Sequence, residues 1–229
     1  MVIGGGIAGL ACAWYLSKLS LRVTLVEAKR MGGWVHTLRT PHLLELGPRT
    51  LRPNGIAGST VLDLVYQLGL SDQVIIASKD SSAAKNRFLA WNGRLEMLPS
   101  SLFKFITSKS SITKGLLLDV LKEPFIPRGS ATPESIDSFI SRRFGKRMSQ
   151  NIVSAVIHGI YAGDHSRLEV ESTMPSLKRM EQESGSVILG IVKSLMFPDK
   201  TKYVASCAKA EQFISSIQQK ASMYTFQVS

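Results

Sequence analysis

The sequence predicts an α/β fold with a Rossmann-like βαβ unit at its start, and three observations support this prediction. A short apolar run ending at Ile3 leads into the glycine pattern Gly4-x-Gly6-x-x-Gly9. Apolar residues with helical spacing follow, and then a β-branched segment runs from residue 22 to residue 26. An acidic residue, Glu27, ends that segment. Strand, glycine turn, helix, strand and acid occur in the order of a dinucleotide-binding unit.

Each glycine of this pattern has a physical role in such a unit. The first makes a tight turn, the second lets a pyrophosphate approach the backbone, and the third lets the helix lie close to the strand. Free N–H groups at the helix N-terminus favour the phosphates, and Glu27 would accept a hydrogen bond from a ribose hydroxyl. An ordinary turn and a surface acid are the alternative interpretation. The expected cofactor contacts are Gly4, Gly5, Gly6, Ile7, Ala8, Gly9, Glu27 and Ala28.

The composition fits a folded protein with an anionic partner. Of 229 residues, 44% are hydrophobic and 20% are charged, and the formal net charge is +11. Such a charge suits nucleic acid, an acidic membrane surface or an acidic substrate. We do not expect nucleic acid, because the basic residues alternate with large apolar ones and no helix-turn-helix or zinc-finger spacing occurs. Cys12 and Cys207 have no Cys or His neighbour at ligand spacing, so we predict neither a disulfide framework nor a metal site.

The sequence contains no apolar segment long enough to cross a membrane as a helix. The longest apolar run, Val187–Val192, is far shorter than the roughly 18 residues that a spanning helix needs. The sequence shows no signal-peptide pattern, so we predict none within it. Because strands usually have about five or six residues and Gly4 stands so near the start, we expect the sequence to begin inside a strand.

Two further glycine-containing stretches predict loops. Gly32-Gly33-Trp34 follows the acidic residue, and consecutive glycines allow backbone conformations that suit a loop pressed against a bulky ligand. A plain turn is the alternative. Gly47-Pro48 stops regular structure and leaves Arg49 and Arg52 on a loop.

Residues 86 to 98 predict a β-hairpin. Asn92-Gly93 favours a tight turn between two short strands, and alternation puts Arg87, Leu89 and Trp91 on one face. An arginine in such surroundings either extends its charged end to solvent or binds an anion. The residues alone leave both options open.

Capping residues predict two helix boundaries. Apolar residues between 60 and 68 repeat with helical period, and Gly69 closes that helix. Thr132-Pro133-Glu134 predicts a helix start with Thr132 as its N-cap. The basic cluster at the end of this helix fits a solvated C-terminus better than a binding site; it consists of Arg142, Arg143, Lys146 and Arg147.

A second helix is predicted over residues 152 to 157, before the segment Gly159–Asp164. His158 and His165 flank that segment. Neither has a serine or carboxylate at the spacing of a catalytic triad, so we interpret both as structural. We predict no catalytic side chain.

Residues 100 to 128 combine large apolar side chains with interspersed basic ones. This pattern suits a surface that lies in an anionic membrane interface without crossing it. The pattern alone favours an ordinary amphipathic subdomain, with its apolar side in a core.

Several of these motifs together resemble the protoporphyrinogen oxidase family of the flavin amine oxidase superfamily. Trp34 and the segment Glu45–Pro53 narrow the resemblance to this family, since amine oxidases usually have arginine in place of Trp34. The resemblance favours FAD over NAD, and it adds Gly32, Gly33, Trp34, Gly47, Pro48, Arg49 and Thr50 to the expected cofactor contacts. The similar stretches are Gly4–Leu10, Glu27, Arg30–Trp34, Glu45–Pro53, Asn86–Leu89 and Gly159–Asp164.

The resemblance implies FAD-dependent oxidation of protoporphyrinogen IX to protoporphyrin IX in haem biosynthesis, with oxygen as the electron acceptor. It implies that Arg87 pairs with a propionate of the tetrapyrrole substrate and that the Gly159 backbone contacts the ring. The resemblance also implies a monotopic membrane domain within residues 100 to 128. It further implies location at the mitochondrial inner membrane and a possible homodimer. The alternatives are another flavin amine oxidase or desaturase and a non-catalytic fragment of such an oxidase.

These expectations divide the chain into three parts. Residues 1–85 would form the N-terminal part of the FAD-binding domain, and residues 86–199 an inserted, mainly helical region for substrate and membrane. Residues 200–229 would return to the FAD domain. Ser206–Glu211 stands where the family has a glycine pair, and family members continue well beyond residue 229, so we expect only part of each site.

Overall fold

A computed structural model of the protein describes residues 1–48, 50–91, 93–98, 116–130, 133–197 and 203–226. The chain forms two compact units, one of residues 1–84 with 202–229 and one of residues 85–201. The second unit is therefore inserted in the sequence of the first. The roles assigned above to residues 1–85, 86–199 and 200–229 stay predictions.

Helices and strands of the described residues are numbered in chain order. The strands are β1 (Val2–Ile3), β2 (Leu25–Val26), β3 (Thr37–Arg39), β4 (Leu43–Glu45), β5 (Val74–Ser78), β6 (Arg87–Trp91), β7 (Arg94–Leu98) and β8 (Ala221–Phe226). The helices are α1 (Ile7–Lys18), α2 (Gly55–Gln67), α3 (Ser82–Lys85), α4 (Leu116–Lys122), α5 (Ile136–Phe144), α6 (Lys146–Met148), α7 (Ser154–Tyr161), α8 (Val170–Thr173), α9 (Pro175–Ser184), α10 (Val187–Met196) and α11 (Ala208–Lys220). Short 3₁₀ turns cover Ser71–Gln73 and Glu123–Phe125, and Ser149–Val153 is π-helical.

The first unit begins with the predicted βαβ arrangement. Strand β1 pairs in parallel with β2, Val2 opposite Leu25, and α1 connects the two strands. Strands β3 and β4 then form an antiparallel pair. The order of strand, helix and parallel strand confirms the predicted α/β class.

The core of the first unit joins distant parts of the chain. Leu62 of α2, Ile214 of α11 and Tyr224 of β8 are buried together, and β8 pairs antiparallel with β5. Helix α2 ends as predicted, because Gly69 follows it with a φ of +70°, a conformation that glycine adopts at little cost.

Asp63 fastens the segment before α11 to α2. This buried carboxylate accepts hydrogen bonds from Tyr203 Oη at 2.8 Å and from Ser206 Oγ at 2.6 Å. Burial opposes the charged form of Asp63, but hydrogen bonds led by those from Ser206 and Tyr203 outweigh it and lower the pKa. Burial and the bond to Asp63 raise the pKa of Tyr203 to about 12.

The second unit begins with the predicted hairpin. Strands β6 and β7 pair antiparallel, with Arg87 opposite Leu98 and Trp91 opposite Arg94, and Gly93 has a φ of +74°. Both observations confirm the hairpin. The helical part of this unit packs around a buried apolar core of Ile136, Phe139, Ile140, Ile157, Val170 and Val187.

The helix start predicted at Thr132 is wrong. Helix α5 begins at Ile136, and its N-cap is Ser135, whose Oγ accepts a 3.1 Å hydrogen bond from a first-turn N–H. The Glu134 carbonyl accepts a bond of 3.0 Å from the Val170 N–H, so the chain just before Ser135 pairs with another segment. Thr132 itself lies outside the described residues.

A largely buried network of ion pairs crosses the second unit. Arg143 is fully buried, with its Nε 2.9 Å from Glu181 and its Nη1 3.2 Å from Glu123. Lys178 Nζ lies 2.7 Å from Glu134, and Arg142 contacts both Glu134 and Glu181. The prediction of a solvated basic cluster is therefore wrong for Arg142 and Arg143, although Lys146 and Arg147 are exposed. Sequence spacing did not show that acids from three other segments converge on this helix end.

No helix in the described part of the chain is long and apolar enough to span a membrane. Most of the predicted interface region, namely residues 100–115 of 100–128, lies outside the described residues. From residue 116 onwards, Leu116 is buried, whereas Leu118, Leu121 and Phe125 are exposed.

Candidate functional site

The turn between β1 and α1 has the geometry of an anion site. Gly6 is the N-cap of α1, and no side chain of the described residues caps the helix. The N–H groups of its first turn therefore have no side-chain acceptor from this part of the chain. Gly4 has a φ of +99°, which residues with a side chain rarely adopt. Such a turn directs backbone N–H groups and the positive end of the helix dipole toward a ligand.

The glycines of this turn differ in the space around them. A Cβ at Gly9 would lie 1.9 Å from the Gly4 carbonyl oxygen, so α1 packs directly against the turn. No atom of the described residues lies within 4 Å of a Cβ built at Gly4 or at Gly6. Gly9 is therefore required for packing, and Gly6 leaves open space beside the helix N-terminus.

Glu27 lies next to this turn. Its Oε2 accepts a 2.6 Å hydrogen bond from the Gly5 N–H, and its Oε1 accepts one of 2.8 Å from the Lys29 N–H. Backbone hydrogen bonds, that from Gly5 foremost, lower the pKa of Glu27. The carboxylate is therefore negative at neutral pH, and its oxygens have lone pairs left for a further donor.

The second glycine pair packs on the first. The Gly32 N–H donates to the Gly5 carbonyl at 2.8 Å, and a Cβ at Gly33 would lie 3.0 Å from Gly6 Cα. Both Gly32 and Gly33 have positive φ, +99° and +57°. The Arg30 guanidinium donates to the Gly33 carbonyl and so holds this loop in place.

The remaining predicted cofactor contacts are only partly described. A Cβ at Gly47 would lie 1.7 Å from the Trp34 carbonyl oxygen, so these two backbones touch. The Trp34 side chain is 86% exposed, and Ala28, Pro48 and Thr50 are exposed as well. Arg49 lies outside the described residues. The structure thus brings together residues 4–9, 27 and 28, 32–34 and 47.

A second site lies in the inserted unit. A cavity of about 610 Å³ is lined by Leu89 and Ala90 of β6 and by side chains of the helical region. Arg87 begins the same strand. Gly159 follows His158, which lines the cavity, and a Cβ at Gly159 would meet nothing within 4 Å. Gly159 is therefore adjacent in sequence to a residue that lines this cavity, and Arg87 stands two residues before Leu89, which also lines it.

The cavity is also lined by polar residues that no sequence motif indicated. Gln150 and Asn151 lie in the π-helical turn and line it, as does His165. His165 Nε2 is 3.4 Å from Asp137 Oδ1. His158 and His165 both line the cavity, and their interpretation as structural stays a prediction. A π-helical turn cannot be recognised from residue spacing, but such turns are frequent at functional sites.

The parallel strand pair, the glycine turn and Glu27 define a dinucleotide-binding unit. A family model described as flavin containing amine oxidoreductase matches residues 7–219, and the chain belongs to this family. Its relatives include protoporphyrinogen oxidases. That of Schizosaccharomyces pombe is 38% identical over 209 residues, which are 85% of this chain and 43% of the relative. That of Homo sapiens is 38% identical over 197 residues, 84% of this chain and 41% of the relative.

Further comparisons agree with this assignment. A protein named coproporphyrinogen III oxidase, from Bacillus subtilis (strain 168), is 32% identical over 207 residues, 85% of this chain and 43% of the relative. A solved structure from Exiguobacterium sp. 255-15 matches with a TM-score of 0.58 and 24% identity, over 96% of this chain and 50% of that one. The chain thus spans half or less of these proteins. The resemblance predicted from the motifs is confirmed, and so is FAD as the cofactor.

The residues of the glycine turn fit the ADP half of FAD. The open space at Gly4 and Gly6 leaves room for a pyrophosphate, and the uncapped start of α1 offers N–H donors to it. Glu27, held by the Gly5 N–H, would accept a ribose hydroxyl. The individual contacts remain predictions.

Proposed function

We propose that this chain is part of an FAD-dependent oxidase that converts protoporphyrinogen IX to protoporphyrin IX in haem biosynthesis, with oxygen as the electron acceptor. The main support is the 38% identity to protoporphyrinogen oxidases, which extends over 85% of this chain in one case. The glycine turn with Glu27 and the cavity of the inserted unit are compatible with a cofactor site and a substrate site.

The residues would have separate roles. The turn from Gly4 to Gly9 and Glu27 would hold the ADP half of the cofactor. Arg87 would bind a substrate propionate, because a guanidinium pairs with a carboxylate through two parallel hydrogen bonds. Gly159 would let the tetrapyrrole lie against the backbone. When bound, FAD would accept hydride equivalents from the substrate and pass the electrons to oxygen.

The proposal includes association with a membrane surface. The net charge of +11 suits anionic lipid, and the exposed side chains of Leu118, Leu121 and Phe125 offer apolar contacts. The protein would attach to one leaflet of the mitochondrial inner membrane, and it would form a homodimer.

Flavin uptake followed by product formation tests the proposed function. The purified chain is titrated with FAD, and the bound flavin is measured by its visible absorption. Protoporphyrinogen IX or coproporphyrinogen III is then added in air, and the fluorescence of the porphyrin product is followed. We expect flavin uptake and faster oxidation of protoporphyrinogen IX than of coproporphyrinogen III.

Other results favour the alternatives. A chain that takes up no flavin would behave as a non-catalytic fragment. A loaded chain that oxidises an amine or a carotenoid precursor, but neither porphyrinogen, would belong to another branch of the superfamily. Arg87→Lys, which keeps the charge but not the paired donors, should raise the KM for protoporphyrinogen IX more than it lowers kcat.

A further inference from the structure

A groove lies between helices α9 and α10 of the inserted unit. The two helices are in close contact at Gly190, where a Cβ would lie 2.5 Å from the Met180 Cβ. Beside this contact the helices leave an open groove of about 370 Å³. The groove is separate from the cavity next to β6, since no residue in the described part of the chain lines both.

Two exposed cations line the groove. Arg179 of α9 and Lys193 of α10 are both exposed. Within the described part of the chain, neither side chain takes part in an ion pair or a side-chain hydrogen bond. By contrast, Lys178, the neighbour of Arg179 in sequence, is paired with Glu134 at 2.7 Å. Among the described residues that line the groove there is one carboxylate, Glu183, so cations outnumber carboxylates there.

Hydroxyl groups and an apolar helix end complete the groove. Ser176 and Ser184 line it and can donate to an anion. Phe197, just past the end of α10, lines it too and is 72% exposed, and Leu195 is 75% exposed. A free inorganic anion makes no favourable contact with apolar side chains. A phospholipid, by contrast, presents a phosphate and acyl chains together.

We propose that this groove binds the headgroup phosphate of an anionic phospholipid in a membrane surface. Arg179 and Lys193 donate to the phosphate, Ser176 and Ser184 add hydroxyl donors, and Leu195 and Phe197 enter the boundary between headgroups and acyl chains. This arrangement extends the proposed membrane association, on which it rests, to α9 and α10. It places a lipid site well after the region 100–128 in sequence.

Co-sedimentation with vesicles tests the site. The full chain is mixed with vesicles of phosphatidylcholine alone or with added phosphatidylserine, at fixed ionic strength. The double variant Arg179→Gln/Lys193→Gln removes both cations. The control Lys146→Gln/Arg147→Gln removes the same charge from exposed residues of α6. Far-UV circular dichroism and FAD uptake show that each variant is folded and that the first unit is unaffected.

We expect the Arg179/Lys193 variant to bind phosphatidylserine vesicles about 25-fold more weakly, at about fivefold for each cation, and the control to change clearly less. Phe197→Ser should weaken binding to both kinds of vesicle. If the variant and the control lost the same affinity for phosphatidylserine vesicles, the proposed site would be wrong. Diffuse attraction between the charges would then explain the binding. Binding of inorganic phosphate that depends on Arg179 and Lys193, together with vesicle binding that is the same in the wild type and the double variant, would replace the lipid with a free anion. A wild-type chain that takes up FAD but binds no vesicle would overturn the lipid site and leave the proposed flavin chemistry standing.

Discussion

The Glu27 carboxylate accepts a 2.6 Å hydrogen bond from the backbone N–H of Gly5. This bond joins the acid at the end of β2 to the glycine turn after β1, so it fixes the acceptor beside the helix N-terminus. Glu27→Gln should weaken FAD binding, because the amide lacks the negative charge and has only one acceptor oxygen. Fluorescence quenching of added FAD measures the Kd, and Glu211→Gln, at an exposed position of α11, is the matched control.

The same bond predicts a pH dependence. The pKa of Glu27 is lowered in the fold, chiefly by the Gly5 N–H. Its stabilising contribution is therefore complete above the ordinary glutamate pKa and is lost as the pH falls through the lowered value. Stability of the first unit should decline in acid, and Glu27→Gln should flatten this decline. An unchanged acid profile in the variant would mean that Glu27 does not contribute through its charge.

Gly6 and Gly9 should respond differently to the same substitution. Gly9→Ala places a Cβ against the Gly4 carbonyl oxygen and should destabilise the first unit by about 1–3 kcal/mol. Gly6→Ala meets nothing within 4 Å, so the fold should keep its stability while FAD binding is lost. Urea unfolding and FAD titration of both variants test this. If Gly6→Ala bound FAD normally, the pyrophosphate would not lie at this turn.

Arg143 is predicted to be essential for the stability of the inserted unit. It is fully buried between Glu123 and Glu181. Arg143→Met would remove the positive charge that pairs with both buried carboxylates. Breaking a buried ion pair in this way costs about 3–5 kcal/mol. Urea unfolding should show this loss, while the control Arg147→Met, at an exposed position, should change stability by less than about 0.5 kcal/mol.

Protonation of Glu181 should destabilise the same unit in acid. Burial alone would raise its pKa, but hydrogen bonds from Arg142 and the Gly129 N–H, with the charges of Arg142 and Arg143, lower the pKa to about 2. Its contribution should be complete above about pH 4.5 and lost as the pH falls toward 2. The free energy of unfolding should drop by roughly 3 kcal/mol over this range. Glu181→Gln, although less stable at neutral pH, should show a shallower slope.

Local signals in the sequence were enough to predict the elements that depend on backbone chemistry. Glycines at 4, 6 and 9 predicted the first turn, Asn92-Gly93 predicted the hairpin and Gly69 predicted the end of α2, because each requires a conformation or an approach that few residues allow. The prediction of Thr132 as an N-cap failed since Ser135 offers an equivalent hydroxyl three residues later.

Features that depend on distant contacts could not be predicted. Arg142 and Arg143 look like a solvated helix end in the sequence, and only the fold brings Glu123, Glu134 and Glu181 to them. The cavity residues Gln150 and Asn151 depend on a π-helical turn, for which residue spacing gives no signal.

The pairing of β5 with β8 has a consequence for biosynthesis. In the sequence, the whole inserted unit lies between these two strands, although Val74 pairs with Phe226. Strand β5 therefore leaves the ribosome long before its partner is translated. The inserted unit is complete by residue 201 and can fold first, since domains fold as units during synthesis. Residues 1–84 should therefore stay sensitive to proteases and available to chaperones until β8 emerges.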